Sequence, residues 1–288
     1  MKKFMMSLPG MHVGVELSRE SPAQAIARTE QEFRRHNIYF EGEFPSWSAA
    51  AQLATGYGAS AILRKLVDAT REVVAGRAAY ERDTVLFGQA QVSHPLFSWL
   101  LYAARELDEP LKVMDFGGAL GSAYHQHRRF LESELRWGVV EQQKIVDAGR
   151  AEFATPSLDF FASASECMES FGANFLLLSA SLQYMQDPYG LLDQLLAFNF
   201  PYCLVDRTTS HRLGRDRVFV QHVPEWIYSA SYPIWLLDAD RLEQCFDRHG
   251  YEVIDLFEPY PGSFAGNREF QAPYMGWFLQ KKRMVRVQ

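Results

Sequence analysis

The stretch that most constrains this chain is residues 111–129, LKVMDFGGALGSAYHQHRR. An apolar run ends in an acid, Asp115, passes through a glycine-rich turn and enters a helix. A strand, a tight turn and a helix start in that order are a common seat for a nucleotide-like ligand. Gly117, Gly118 and Gly121 carry no Cβ, so the backbone can bend sharply and allow close approach. About twenty residues further on, the apolar run WGVV ends at Glu141. A carboxylate at that strand end can accept hydrogen bonds from both hydroxyls of a ribose. A structural turn with no ligand, followed by an ordinary solvated acid, is the plainer reading of each signal alone.

Spacing separates two ligand classes. The dinucleotide pattern G-x-G-x-x-G, set on Gly117, fails at Ala119 and Ser122, which disfavours a nicotinamide-dependent oxidoreductase. The pattern acid-x-G-x-G-x-G, set on Asp115, Gly117, Ala119 and Gly121, fails once and by a small residue. In this the sequence resembles the class I S-adenosylmethionine-dependent methyltransferases.

The 288 residues are 48% hydrophobic, enough for a sizeable core, and carry a net charge of −6, which argues against a nucleic-acid partner held by phosphate neutralisation. Cys167, Cys203 and Cys245 are far apart, without zinc spacing or the density of a disulfide scaffold, so a reducing cytoplasm is expected. The first twenty residues, MKKFMMSLPGMHVGVELSRE, imitate a secretory signal until Pro9, Gly10 and His12, and read as a loose leader. No apolar run is long enough to cross a bilayer, so no membrane partner is expected.

Residues 21–36 read as a helix capped by Ser21, with Pro22 at its first position. A turn follows around Gly42 and Pro45, then a short helix from about Ser46. Ile62, Leu66, Ala69 and Val73 recur at helical spacing over 60–74. Residues 79–87 place Tyr80, Arg82 and Asp83 in one turn of a helix, where Arg82 could pair with a carboxylate of the ligand, and 95–107 form another apolar helix. This preface, residues 1–108, is expected to pack on a catalytic domain spanning 109–288. There strand and helix alternate: helix 145–153, strand 158–162, strand 175–179, helix 188–198, strand 202–205, helix 238–249 and a last pair of strands, 251–257 and 274–280. The expected fold is α/β: a doubly wound, mostly parallel seven-stranded sheet, Rossmann-like, with an N-terminal helical extension.

Ligands of such sheets sit beyond the carboxyl ends of the strands. Ser163 and Ala164 follow the third strand, Ser179, Gln183 and Tyr184 the fourth, and Asp206 to Thr209 the fifth. Base candidates are His125, His127, His211 and His222; Tyr124 is a further catalytic candidate, and with Tyr228 and Tyr232 it could line an acceptor pocket. His125 and His127 lie two apart on a helix and would not share a face, so no metal is expected.

The ordered set FEGEFPSW, AYERDTVLF, VMDFGGALGS, WGVVEQ, LLLSASLQYMQDP, LVDRT and VPEWIYSASYPIW resembles a family of bacterial methyltransferases of unassigned acceptor, from about Phe40 to the C-terminus. The resemblance implies a class I fold whose sheet ends in an antiparallel pair, and S-adenosylmethionine as cofactor. It places Asp115, Gly117, Gly118, Gly121 and Glu141 on the donor; position after the strands and in residues 79–87 adds Ser163, Ala164, Ser179, Gln183, Arg82 and Tyr80 as expected donor contacts. Gln183 and Tyr184 stand where related enzymes often carry a histidine, and Asn174 where an aspartate commonly opens the fourth strand. The expected activity is methylation, on oxygen, of a small molecule or sugar, with a homodimer possible. The alternative is a catalytically silent binding or assembly protein of the same fold.

Overall fold

The computed structural model describes residues 2–8, 11–17, 21–56, 59–131 and 135–282. The expected loose leader is instead an antiparallel pair, β1 (Lys2–Leu8) and β2 (Met11–Leu17). Helix α1 (Pro22–His36) starts as expected, with Ser21 and Gln24 forming a reciprocal capping box. The expected turn around Gly42 lies within a strand, β3 (Tyr39–Phe44), which Gly42 enters at φ +67°, where its missing Cβ makes room for the Phe44 ring. Helices α2 (Trp47–Leu53) and α3 (Ala59–Val74) follow, and α3 buries Ile62, Leu66, Ala69 and Val73 as its periodicity demands.

Residues 79–87 are not helical. They form a hairpin, β4 (Tyr80–Arg82) and β5 (Val85–Phe87), turned by Asp83 and Thr84 at φ +51° and +70°. Two left-handed residues in succession make the hairpin turn that matches strand twist, a shape usually given to glycine or asparagine. The Tyr80 and Phe87 rings stack across it at 4.5 Å. Cross-strand stacking has overridden the helical reading here.

Helix α4 (His94–Glu106) leads into the main sheet. In chain order come β6 (Lys112–Phe116), α5 (Ser122–His127), β7 (Arg136–Val140), α6 (Gln143–Glu152), β8 (Leu158–Phe161), α7 (Ala164–Phe171), β9 (Phe175–Ser179), α8 (Pro188–Leu196) and β10 (Tyr202–His211). The chain continues through β11 (Arg217–Val223), β12 (Ala230–Asp238), α9 (Ala239–Arg248), β13 (Tyr251–Phe257), β14 (Phe264–Gly266) and β15 (Gln271–Lys281).

The strands β8, β7, β6, β9 and β10 pair in parallel in that order, and β15 then β13 continue antiparallel beyond β10. This is the expected doubly wound Rossmann-like sheet with its closing antiparallel pair. Its faces are covered by two apolar layers, one centred on Leu176, Leu178, Leu192 and Trp277, the other on Leu100, Val113, Trp137 and Phe278. The sheet carries eleven strands, not seven, because β3, β11, β12 and β14 join it. The four-residue apolar run expected at β10, 202–205, continues through Thr208, Thr209 and Ser210, which are fully buried, to His211. Beyond the end of β9 the same strand pairs with β12. Pro233 fits within β12 because only β11 pairs beside it, β10 reaching β12 at Leu237 and Asp238. Among the described residues no helix is long and apolar enough to cross a membrane.

Candidate active site

The strand order reverses between β6 and β9, and the crevice above that reversal is the usual ligand position of a doubly wound sheet. There the chain leaves β6 with Gly117, Ala119 and Gly121 at φ +77°, +54° and +85°. Ala119 keeps the left-handed backbone of the pattern without being glycine, at a cost of about 1–2 kcal/mol. A Cβ on Gly117 would lie 2.8 Å from Ser181 Cβ, one on Gly118 2.4 Å from the Asp115 carboxyl, and one on Gly121 3.2 Å from Leu158. The turn is therefore seated tightly on its own protein, which accounts for all three glycines.

Asp115, 2% exposed, accepts a hydrogen bond from Trp137 Nε1 at 3.0 Å. Burial pushes its pKa up to about 7, against the opposing effects of the Trp137 bond and Arg207 and with a smaller contribution from Glu141. Glu141, half-buried just past β7, accepts from the Gln142 amide at 2.8 Å, and the turn is tied to the same strand end by the Gly117 amide, which donates to the Val140 carbonyl at 2.9 Å. Burial raises its pKa. The glycine turn and the strand-end acid thus face each other, with Ser163 and Ala164 beside them at the start of α7, where Ser163 caps Glu166 at 3.1 Å.

A second group gathers beyond β9 and β10. Ser179 Oγ donates to Asp206 Oδ2 at 3.0 Å, Arg207 Nε donates to Ser179 Oγ at 3.0 Å, and Gln183 Nε2 donates to the Arg207 carbonyl at 2.9 Å. Arg207 sits at φ +52° where β10 changes register, so its side chain leaves the strand plane and its Nη1 lies 3.5 Å from the Tyr260 hydroxyl. The nearby negative groups raise its pKa against the effect of burial. Ser181 Oγ, Gln183 Oε1 and Asp206 Oδ1 are buried with no hydrogen-bond partner among the described residues.

Between this group and the β4–β5 hairpin lies a cavity of about 30 Å³, lined by Glu81, Arg82, Ser122, His127, Asp206 and Arg207. Arg82 lies over the Tyr80 and Tyr260 rings, at 5.8 and 5.5 Å. Glu81, 3% exposed, closes the floor by accepting from Ser122 Oγ and from the Thr84 amide, and burial raises its pKa. The cavity has room for a water or two, against roughly 300 Å³ or more for a small-molecule pocket.

The remaining sequence candidates are dispersed. Tyr80 packs on Phe87 and its hydroxyl donates to Gln91 at 3.1 Å. Tyr124 is buried below the sheet, 2.7 Å from Ser157 Oγ. His211 packs edge-on against Phe270 at 5.0 Å, with Nε2 3.2 Å from the Leu236 carbonyl. His222 stacks on Tyr39 at 4.5 Å and lies 2.9 Å from Glu41, on a strand four places from β6, about 19 Å at ordinary strand spacing. His127 donates from Nδ1 to the Ala123 carbonyl and accepts the Ser93 amide at Nε2.

Sequence reading left out Glu81 and Tyr260, and named Asp206 and Arg207 without placing them on the donor. Asp206 and Arg207 carried a signal, being polar groups directly after an apolar strand, whereas Glu81 and Tyr260 arrive through tertiary contacts. The wall toward β11 and β12 is a chain of rings and amides: Tyr184 donates to Gln221 Oε1 at 3.2 Å, Gln221 Nε2 donates to the Tyr232 hydroxyl at 3.2 Å, and the Tyr228 and Tyr232 hydroxyls lie 3.3 Å apart.

No family model matches the sequence, and no curated protein matches it. Solved structures that match include S-adenosylmethionine-dependent methyltransferases. One is the Burkholderia thailandensis 1,6-didemethyltoxoflavin-N1-methyltransferase with S-adenosylhomocysteine, 14% identical over 77% of this chain and 89% of that one, TM-score 0.41. Another is an amino pentose methyltransferase from Micromonospora echinaspora with S-adenosylmethionine bound, 10% identical over 66% and 90%, TM-score 0.43. A third, a methyltransferase from Clostridium acetobutylicum, is 7% identical over 76% and 99%, TM-score 0.43.

Proposed function

We propose that the chain is an S-adenosylmethionine-dependent methyltransferase that methylates oxygen on a small-molecule or sugar acceptor. The observation that carries this is the Glu141 carboxylate next to the glycine turn, whose Gly117 amide bonds the Val140 carbonyl at 2.9 Å, at the switch point of the sheet. The residues fit the donor in kind. A carboxylate is available to two ribose hydroxyls, small residues flank it at Ser163 and Ala164, and Ser181, Gln183 and Asp206 present unmatched polar atoms beyond β9 and β10.

In this reading Asp115 supports the turn, Gly117, Gly118 and Gly121 form its shelf, and Glu141 holds the ribose. Arg82 and Arg207 are the two cations available to an amino-acid carboxylate, with Ser179 and Gln183 fixing Arg207. Admitting a ligand at that end requires the β4–β5 hairpin to lift Glu81 off Ser122. The left-handed Asp83 and Thr84, strained by about 1–3 kcal/mol each, sit at the tip of that hairpin.

The donor supplies a methyl group on a sulfonium, already an activated leaving group. The chain then has to align the acceptor oxygen and exclude water. Tyr184, Gln221 and Tyr232 offer hydrogen bonds to an acceptor hydroxyl at the wall next to Gln183. His211 and His222 are both engaged away from the turn, so alignment contributes more to this reading than a histidine base does.

Calorimetric titration of S-adenosylhomocysteine into the purified chain tests the proposal. One equivalent should bind, and Glu141→Ala should weaken binding about tenfold or more, about 1.4 kcal/mol, with an unchanged melting temperature. Absence of both heat and thermal shift at about 1 mM ligand would overturn it.

A further inference from the structure

Outside this site, Asp193 of α8, Cys245 of α9 and His249, the residue that caps the end of α9, bring a carboxylate oxygen, a thiol sulfur and an imidazole nitrogen within 4.8 Å of one another. We propose that these three side chains bind a zinc ion that ties α8 to α9, with water as fourth ligand.

The placement follows from the helices. Cys245 and His249 are four residues apart, so they lie one above the other on a single helix face. That face meets α8, and Asp193 Oδ1 lies 3.5 Å from Cys245 Sγ and 2.8 Å from His249 Nε2. With zinc bonds of about 2.0 Å to oxygen and 2.3 Å to sulfur, a tetrahedral oxygen–sulfur edge is about 3.5 Å. The observed separation already matches it. The oxygen–nitrogen edge needs to open by about 0.5 Å, which replaces a direct hydrogen bond by two metal bonds.

The surroundings favour a cation of this class. Cys245 and His249 fall at the carboxyl end of α9, where the helix dipole is negative. A thiolate beside an imidazole selects zinc over magnesium or calcium, which prefer oxygen alone. Cys245 is closed in by the apolar layer of Leu192, Leu195 and Leu196, while Asp193 faces solvent, leaving an open side for water. Thiolate, carboxylate and neutral imidazole balance the two charges of the ion. The competing cation, Arg248, is 3.5 Å from Asp193 with a side chain 60% exposed, and an exposed, solvent-screened pair of this kind is readily displaced. Binding converts the Cys245 thiol to thiolate and releases its proton to solvent. Sequence spacing conceals the site because Asp193 comes from another helix, 52 residues before Cys245.

The test uses the full chain after chelator treatment, titrated with cobalt(II) and then zinc(II). One equivalent of cobalt should produce a near-ultraviolet thiolate-to-metal band and the visible bands of a four-coordinate ion. Zinc should abolish both and raise the melting temperature. Cys245→Ser should lose the thiolate band. Asp193→Asn, on the surface, should weaken binding about tenfold or more with its fold intact, about 1.4 kcal/mol. Heat measured in buffers of different ionisation enthalpy should report a released proton. Absence of a thiolate band, or parental affinity in both Asp193→Asn and His249→Gln, would overturn the proposal. Donor binding does not enter these readouts, so the two proposals stand or fall separately.

Discussion

Asp115 gives the sharpest test of how the glycine turn is built. Its carboxyl is 2% exposed and its pKa is pushed up from the ordinary 3.8 to about 7, chiefly by burial. The folded chain therefore holds a proton that the unfolded chain has released between about pH 4 and 7. Stability from this group is greatest below pH 4 and falls as pH rises, by about 4 kcal/mol once pH exceeds 7. Asp115→Asn cannot ionise, yet keeps an oxygen to accept the Trp137 Nε1 bond. The stability difference between variant and parent should swing toward the variant by about 2.5 kcal/mol from pH 5 to pH 8, since part of the parent's loss already falls below pH 5. Urea denaturation at fixed ionic strength and several pH values measures the swing, and the subtraction cancels the other titrating groups. A difference independent of pH would refute the reasoning, and would mean that Asp115 stays charged over the range, held by Arg207.

Two further outcomes follow from the buried polar groups. His127, 1% exposed, is held down at about 4, mainly by burial, so its contribution to stability is lost as pH falls from about 6.5 to 4. His127→Gln, which keeps an acceptor for Ser93, should gain about 2 kcal/mol on the parent between pH 7 and pH 4.5, and parallel acid limbs in denaturation curves would refute this. Asn174 accepts the Lys112 amide at 2.8 Å and donates to the Pro110 carbonyl at 2.9 Å. Asn174→Asp sets an oxygen against that carbonyl and should cost about 2–4 kcal/mol at pH 8 by urea midpoint, whereas a loss below about 0.5 kcal/mol would contradict the double role.

The legible part of the sequence was the part governed by local rules. The apolar strands at 111–114, 137–140 and 175–179, the glycine turn and the strand-end Glu141 were all readable, because burial on both faces and a sharp bend each demand particular residue types. The hairpin at 80–87 was not, since its turn uses Asp83 and Thr84 where glycine is usual, and a ring stack fixes it. The antiparallel extension was missed for a related reason. Alternation in RVFVQHV is a strand signal, but Pro233 in the partner segment speaks against one until its unpaired edge is known. Asn174 looked like a small departure from pattern, and its reason lies in two backbone groups that only the fold brings together.

The bend at Arg207 also sets what can move. From there β10 leaves β9 and goes on to join β12, whose far end at Ala230 is seven residues, about 23 Å, from the junction at Leu237. The outer strands therefore act as a long arm pivoted next to the guanidinium. A tilt of about 5° would carry the tip by close to 2 Å while leaving the pivot almost still. The rim can thus shift without displacing the charge that sits at the fulcrum.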